Sequence, residues 1–419
     1  MRIDDLTVTP IAFPDPPLLN ADGVHEPLVL RCVLRLHAGD GEVIGLGECA
    51  GDRDQLDRLA VARRVIIGMD VFATTAVTQA VDQALGGPGG PLTAFQRARV
   101  ASAIEVACLD AQGRITGRPV SDLLGGAVRD AVPYSAYLFY KWAEHPALDG
   151  RPAIADPWGP ALDPEGVVRQ ATRMIDRYGF RSIKLKGGVF PPDQEIAAIR
   201  ALAEAFPDRP LRLDPNCAWT PETSHHVARE LDGVLEYLED PTRGLDGMAD
   251  VARTAPMPLA TNMCVVSFEH LRPAVERGSV GVVLADHHYW GGLHRTRQLA
   301  AVCEAFGIGL SMHSNSHLGI SLAAMTHVAA ATPNLTYACD THYPWNAGES
   351  GVDVVRPGTL RFVDGSVPVP TGPGLGVELD PDSLALLHEA YLTAGRERRD
   401  DTGYMRRIHP DFDPTLPRW

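Results

Sequence analysis

From about residue 133 the chain settles into short apolar runs, each ending on polar residues and each followed by a stretch with helical spacing. The runs are PYSAYLFY (133–140), RSIKLKGG (181–188), LRLDPN (211–216), LEYLED (235–240), PLATN (258–262), GVVLAD (281–286), IGLSMHS (308–314) and TYACDTH (336–342). Strand and helix in alternation indicate parallel βαβ units. The residues that close the runs, Lys186, Asp214, Glu239, Asn262, Asp286, His313 and Asp340, recur roughly every 25 positions, one βα unit of an eight-fold α/β barrel. The runs share position and polarity but not residues, which excludes a repeat solenoid.

Upstream the pattern differs. PLVLRCVLRLHAGDGEVIGLGECAG reads as two strands joined by the turn AGDGE. Helical stretches follow near 54–85 and 94–116, the second placing Val100, Ile104 and Ala107 about a turn apart, with LGGPGGPLT between them. After residue 346 the βα period is lost: LRFVDGSVPVP reads as a hairpin turning at Asp364 and Gly365, and a helix follows near 382–394. The expected division is residues 1–130 as an α+β cap, 131–345 as the barrel, and 346–419 as a tail that packs back on the cap.

Composition narrows the class. The chain has 419 residues, 45% of them hydrophobic, enough for a large core. Its seven cysteines are scattered and never spaced C-x-x-C, which disfavours a disulfide framework or a cysteine-bound zinc and points to reduced thiols in the cytoplasm. The start MRIDDLTV has no basic region before an apolar run, and no segment is apolar for long enough to span a membrane. A net charge of −15 disfavours nucleic acid as a partner. It would also repel a small anion unless a local positive site reversed the field.

Such a site is legible in RSIKLKGG. Alternation puts Lys184 and Lys186 on one face, away from Ile183 and Leu185. On an edge strand that pair would guard against aggregation; on a barrel strand covered on both sides it must point into the mouth, where neighbouring cations push a lysine pKa down and suit it to act as a base. Asp214, Glu239 and Asn262 close three successive strands and offer oxygen, the donor that Mg²⁺ prefers. His313 closes the seventh strand, with Asp286 one strand away to orient its ring. Two opposed bases around Mg²⁺ suit abstraction of a proton α to a carboxylate. Reprotonation from the other face gives epimerisation; loss of a β-hydroxyl gives dehydration.

In order and spacing, KLKGG, LDPN, EDP, ATN, LAD, HSN and DTH resemble the glucarate dehydratase group of the enolase superfamily, of the mandelate racemase/muconate lactonizing enzyme type. LLNADGVHEP, AYLFY, GLGVELD and RRDD extend the likeness over nearly the whole chain. The resemblance implies a (β/α)7β barrel under an α+β cap, with Mg²⁺ on Asp214, Glu239 and Asn262. It implies Lys186 as one base with Lys184 as its electrostatic partner, and the His313–Asp286 dyad as the other base and the acid for the departing hydroxyl. Asn216, Asn315 and Asp340 match positions around the acid sugar, Tyr137 and Phe139 match contacts from the first strand, and Asn20, His25 and Arg399 match contacts from the cap and tail. The implied activity is that of a hydro-lyase acting on glucarate or a related aldarate or aldonate, in an enzyme that works as a homo-oligomer. Three departures bear on specificity. ALGGPGGPLTAFQ is short and lacks a Phe-Asp-Thr-Phe-Gly run, His287 replaces a proline after Asp286, and Leu318-Gly319 stands where Phe-Asp is usual. An epimerase of hydroxy acids on the same fold, or a silent sugar-acid binder, are the alternatives.

Overall fold

The computed structural model describes residues 1–348 and 351–419. Its first layer is an antiparallel sheet of Ile3–Pro14, Leu28–Ala38 and Val43–Ala50, with Leu28–Ala38 in the centre. The turn AGDGE forms as expected, with Gly39, Asp40 and Gly41 all at positive φ. The helix Ala94–Thr116, started by a capping box of Thr93 and Gln96, lies across this sheet. The approach is close enough that a Cβ on Gly45 would sit 2.0 Å from the carbonyl oxygen of Ala107. Glycine there is a packing requirement.

The expected single helix near 54–85 is two, Arg53–Ile66 and Thr74–Ala84. Gly68 takes a left-handed φ of 83°, and the Ile3 N–H donates to Met69 O. The linker is thus spent on the first cap strand, and helical periodicity does not reveal that.

Seven parallel strands form one sheet in chain order: Ala136–Phe139, Ile183–Lys186, Leu211–Asp214, Leu235–Glu239, Leu259–Thr261, Val282–Leu284 and Gly309–Ser311. Helices follow the strands, among them Pro164–Tyr178, Pro192–Ala205 and Pro221–Glu230, each with proline in its first turn, where the missing N–H costs nothing. The eighth run, 336–342, is not a strand. It meets each edge for a residue or two, Tyr337 N–H on Leu310 O and Asp340 N–H on Met312 O on one side, Cys339 N–H on Pro133 O and Ser135 N–H on Cys339 O on the other. It closes the barrel as a stave too short for a ladder.

The tail's expected hairpin forms for a single pair, Val363 with Ser366. Its turn forms at Asp364 and Gly365, both at positive φ, but Ser366–Pro368 pairs with Ala131–Pro133 at the barrel's base. The ring of Phe362 on the incoming side packs instead on Tyr178, Phe180 and Tyr134. The helix Pro381–Ala394 lies along the first cap strand, where His388 Nδ1 meets Pro10 O at 2.7 Å, and Asp401–Ile408 packs on the loop hairpin Leu19–Val24. No helix among the described residues is long and apolar enough to cross a membrane.

Candidate active site

The strand Ile183–Lys186 lies between Ala136–Phe139 and Leu211–Asp214, so it has no free edge and all four residues are buried. Ile183 and Leu185 belong to the hydrophobic core; the lysines therefore point into the barrel. Lys184 Nζ lies 2.6 Å from Glu239 Oε2, 2.7 Å from Asp340 Oδ2 and 3.3 Å from Asp214 Oδ2, and 4.7 Å from the centre of the Tyr137 ring. Lys186 Nζ, one step nearer the mouth, donates to Asp214 Oδ2 at 2.6 Å and to Asn216 Oδ1 at 2.8 Å.

These contacts correct the expectation for Lys186. Burial is the largest influence and works against its charge, but Asp214, Tyr137 and Glu239 together outweigh it, so its pKa lies above the ordinary lysine range. The like-charged Lys184 lowers it, but by less than Asp214 raises it. Asp214 is held well below the usual carboxylate range, burial being outweighed by Lys186 and Lys184. Glu239 is pushed up, first by burial and then by the charge of Asp214.

Among the described residues, neither oxygen of Glu239 nor Oδ1 of Asn262 makes a hydrogen bond; the Lys184 ammonium stands near Oε2 outside hydrogen-bonding alignment. Glu239 is fully buried and Asn262 nearly so. Buried oxygens without donors are costly, and together with Asp214 they form the donor set that a hard divalent cation takes. The residues present fit Mg²⁺.

Across the mouth, His313 Nδ1 meets Asp286 Oδ2 at 3.1 Å. The other oxygen of Asp286 takes His288, through its N–H at 2.9 Å and Nδ1 at 2.8 Å. Burial raises the Asp286 pKa, but His288 and then His313 draw it well below the usual range. Tyr289 stacks on His313, and its hydroxyl accepts from Asn315 Nδ2.

Lys186, Asn216, Asn262, His313 and Asn315 line one cavity of about 600 Å³, together with Tyr137, Phe139, Asn20, His25 and Arg399. The cap residues thus arrive at the barrel mouth. Asp15 positions two of them: its Oδ2 lies 3.0 Å from His25 Nδ1 and 2.8 Å from Arg399. Asp340 does not line the cavity. It is fully buried beneath it, accepting from Lys184 and from Ser135 Oγ at 3.1 Å, because the closing stave carries it inside the barrel behind the lysine. The sequence reading missed Arg31, Arg99, Tyr289 and His342, all in the cavity wall. Only His342, in the DTH run, carried a signal.

Residues 22–125 match the mandelate racemase/muconate lactonizing enzyme N-terminal domain, and residues 166–383 match the enolase C-terminal domain-like family. The chain belongs to the enolase superfamily, of the mandelate racemase/muconate lactonizing enzyme type, and is an enzyme of that superfamily. It is 53% identical, over 100% of its own length and 99% of the other's, to a probable glucarate dehydratase of Streptomyces coelicolor. An enolase from Mycobacterium smegmatis, solved with tartrate, is 63% identical with a TM-score of 0.95, covering 100% of this chain and 98% of that one. Another, from Thermobispora bispora, solved with magnesium and formate, is 59% identical with a TM-score of 0.95 and covers both chains fully.

Proposed function

We propose that this enzyme is a Mg²⁺-dependent dehydratase of acid sugars, converting glucarate or a related aldarate or aldonate to a 2-keto-3-deoxy acid. The observation that carries the reading is the placement of Lys186 and His313 in one cavity, beside buried Glu239 Oε1 and Asn262 Oδ1, which accept no hydrogen bond. The likeness to a probable glucarate dehydratase and to magnesium-bound relatives supports it.

Asp214, Glu239 and Asn262 would hold the ion. Bound there, Mg²⁺ supplies positive charge to a substrate carboxylate and engages the Asp214 carboxylate that otherwise keeps Lys186 protonated. Lys186 Nζ, as the neutral amine, takes the α-proton from one side of the substrate. His313 takes it from the other in substrates of opposite configuration, its ring oriented by Asp286. The β-hydroxyl leaves with a proton from His313 Nε2 as water, and the resulting enol takes a proton at carbon to give the keto acid. Lys184 keeps the buried carboxylates compensated throughout. Arg99 in the cavity wall, beside Arg31 and Arg399 that are held there by Glu48 and by Asp15 and Asp401, suits the far carboxylate of a diacid.

The test is a panel of mono- and diacid sugars incubated with protein and Mg²⁺, with keto products trapped by semicarbazide. A 2-keto-3-deoxy product supports dehydration. Solvent deuterium at the α-carbon of otherwise unchanged substrate would favour the epimerase, and no reaction with Mg²⁺ bound would favour the binder.

A further inference from the structure

Beside the oxygen cluster lies a second, chemically different one. Cys217 Sγ, Cys264 Sγ and a carboxylate oxygen of Asp240 all lie within 4.8 Å of one another. Met263 Sδ is 3.8 Å from Cys217 Sγ. Three loops bring them together, those after the strands Leu211–Asp214, Leu235–Glu239 and Leu259–Thr261. The loops are tied by the Cys217 N–H on Asp240 O at 2.7 Å, and by Asp240 Oδ2 accepting from the N–H groups of Asn262 and Met263. Thr261 Oγ1 donates to the remaining oxygen at 2.5 Å. Asp240 therefore takes three hydrogen bonds and keeps a lone pair free.

We infer that Cys217, Cys264, Met263 and Asp240 form a site for a soft, thiophilic d¹⁰ cation of the zinc, cadmium or cuprous class. Two thiols and a thioether are the donors that select such ions, whereas the neighbouring Asp214, Glu239 and Asn262 offer only oxygen. Access is from the cavity, since Met263 lines it and is 42% exposed while both thiols lie behind. Binding is ionic exchange without redox: two S–H bonds break, two metal–sulfur bonds form, and two protons go to solvent. An ion there would tether the loops that carry Asn216 and Asn262.

The test needs no turnover and so stands apart from the dehydratase reading. Reduced, chelator-stripped protein is saturated with Mg²⁺ to fill the oxygen site, then titrated with Cd²⁺ while the ultraviolet thiolate-to-cadmium band is followed. The expected result is a band that saturates at one equivalent, is lost in Cys217→Gly and in Cys264→Ala, and is kept in Cys303→Ser. Cys217 holds a φ of 61°, the left-handed region that suits glycine, so in Cys217→Gly the relief of backbone strain offsets part of the loss of a buried side chain, and a denaturation midpoint verifies that the variant folds. Absence of the band at one equivalent would overturn the assignment. So would a band that persists in both variants, which would place the cadmium on other thiols such as Cys32 and Cys49, 3.4 Å apart.

Discussion

Lys184 Nζ lies 2.6 Å from Glu239 Oε2, with both side chains wholly excluded from solvent. Asp214 and Asp340 press on the same ammonium, and Lys186 is the second cation on Asp214, so two lysines face three buried carboxylates. That arrangement leaves a charge deficit which a divalent ion would fill.

Lys184→Met should therefore destabilise the metal-free protein by about 3–5 kcal/mol, the usual cost of stripping a partner from a buried ion pair. Saturating Mg²⁺ should restore part of it, since ligand at a hundred times its Kd stabilises by about 2.7 kcal/mol. Urea denaturation with and without Mg²⁺ measures both. A midpoint equal to the parent's in the absence of metal would show that the three carboxylates do not depend on this lysine.

His313→Asn should lower dehydration by about 10² to 10⁴-fold, the usual contribution of a positioned acid–base group, while Mg²⁺ affinity stays unchanged. Lys186→Ala should cost a similar factor with substrates whose α-proton faces that side. Steady-state kinetics alongside calorimetric Mg²⁺ binding distinguishes loss of a base from loss of the metal site. Normal turnover in His313→Asn would refute the proposed acid.

Stability should fall on acidification because of a histidine far from the site. His327 Nδ1 accepts from the Ser121 N–H at 3.2 Å and Nε2 meets Leu375 O at 3.1 Å, so a second ring proton would face a donor. Burial lowers its pKa from 6.5 to about 4. A depressed folded pKa means stability is full above pH 6.5, declines below it, and is lost as pH falls through about 4. That separation corresponds to about 3 kcal/mol. His327→Gln, which retains one acceptor and one donor, should remove that share of the acid limb in denaturation at a series of pH values. An unchanged acid limb would assign the pH dependence elsewhere.

Some of this architecture could be read locally. Strand alternation is set by backbone geometry, so Lys184 and Lys186 had to share a face, and the even spacing of the polar strand ends announced a barrel whose loops converge. The positive-φ turns at Gly39–Gly41 and Asp364–Gly365 followed from residue type. The helix expected over 54–85 failed because Gly68 and the backbone contact of Ile3 with Met69 break it, a tertiary event.

What the sequence by itself determined is the order of strands and the pairing of His313 with Asp286, because strand period and strand-end position depend only on neighbours along the chain. Only the tertiary structure decided depth and charge. It placed Asp340 beneath the cavity floor, raised the Lys186 pKa by setting Asp214 at 2.6 Å, and brought Arg31, Arg99 and Asp15 to the site from the cap. Burial and Coulomb energy depend on distances between residues remote in sequence, and those distances exist only once the barrel has closed under its cap.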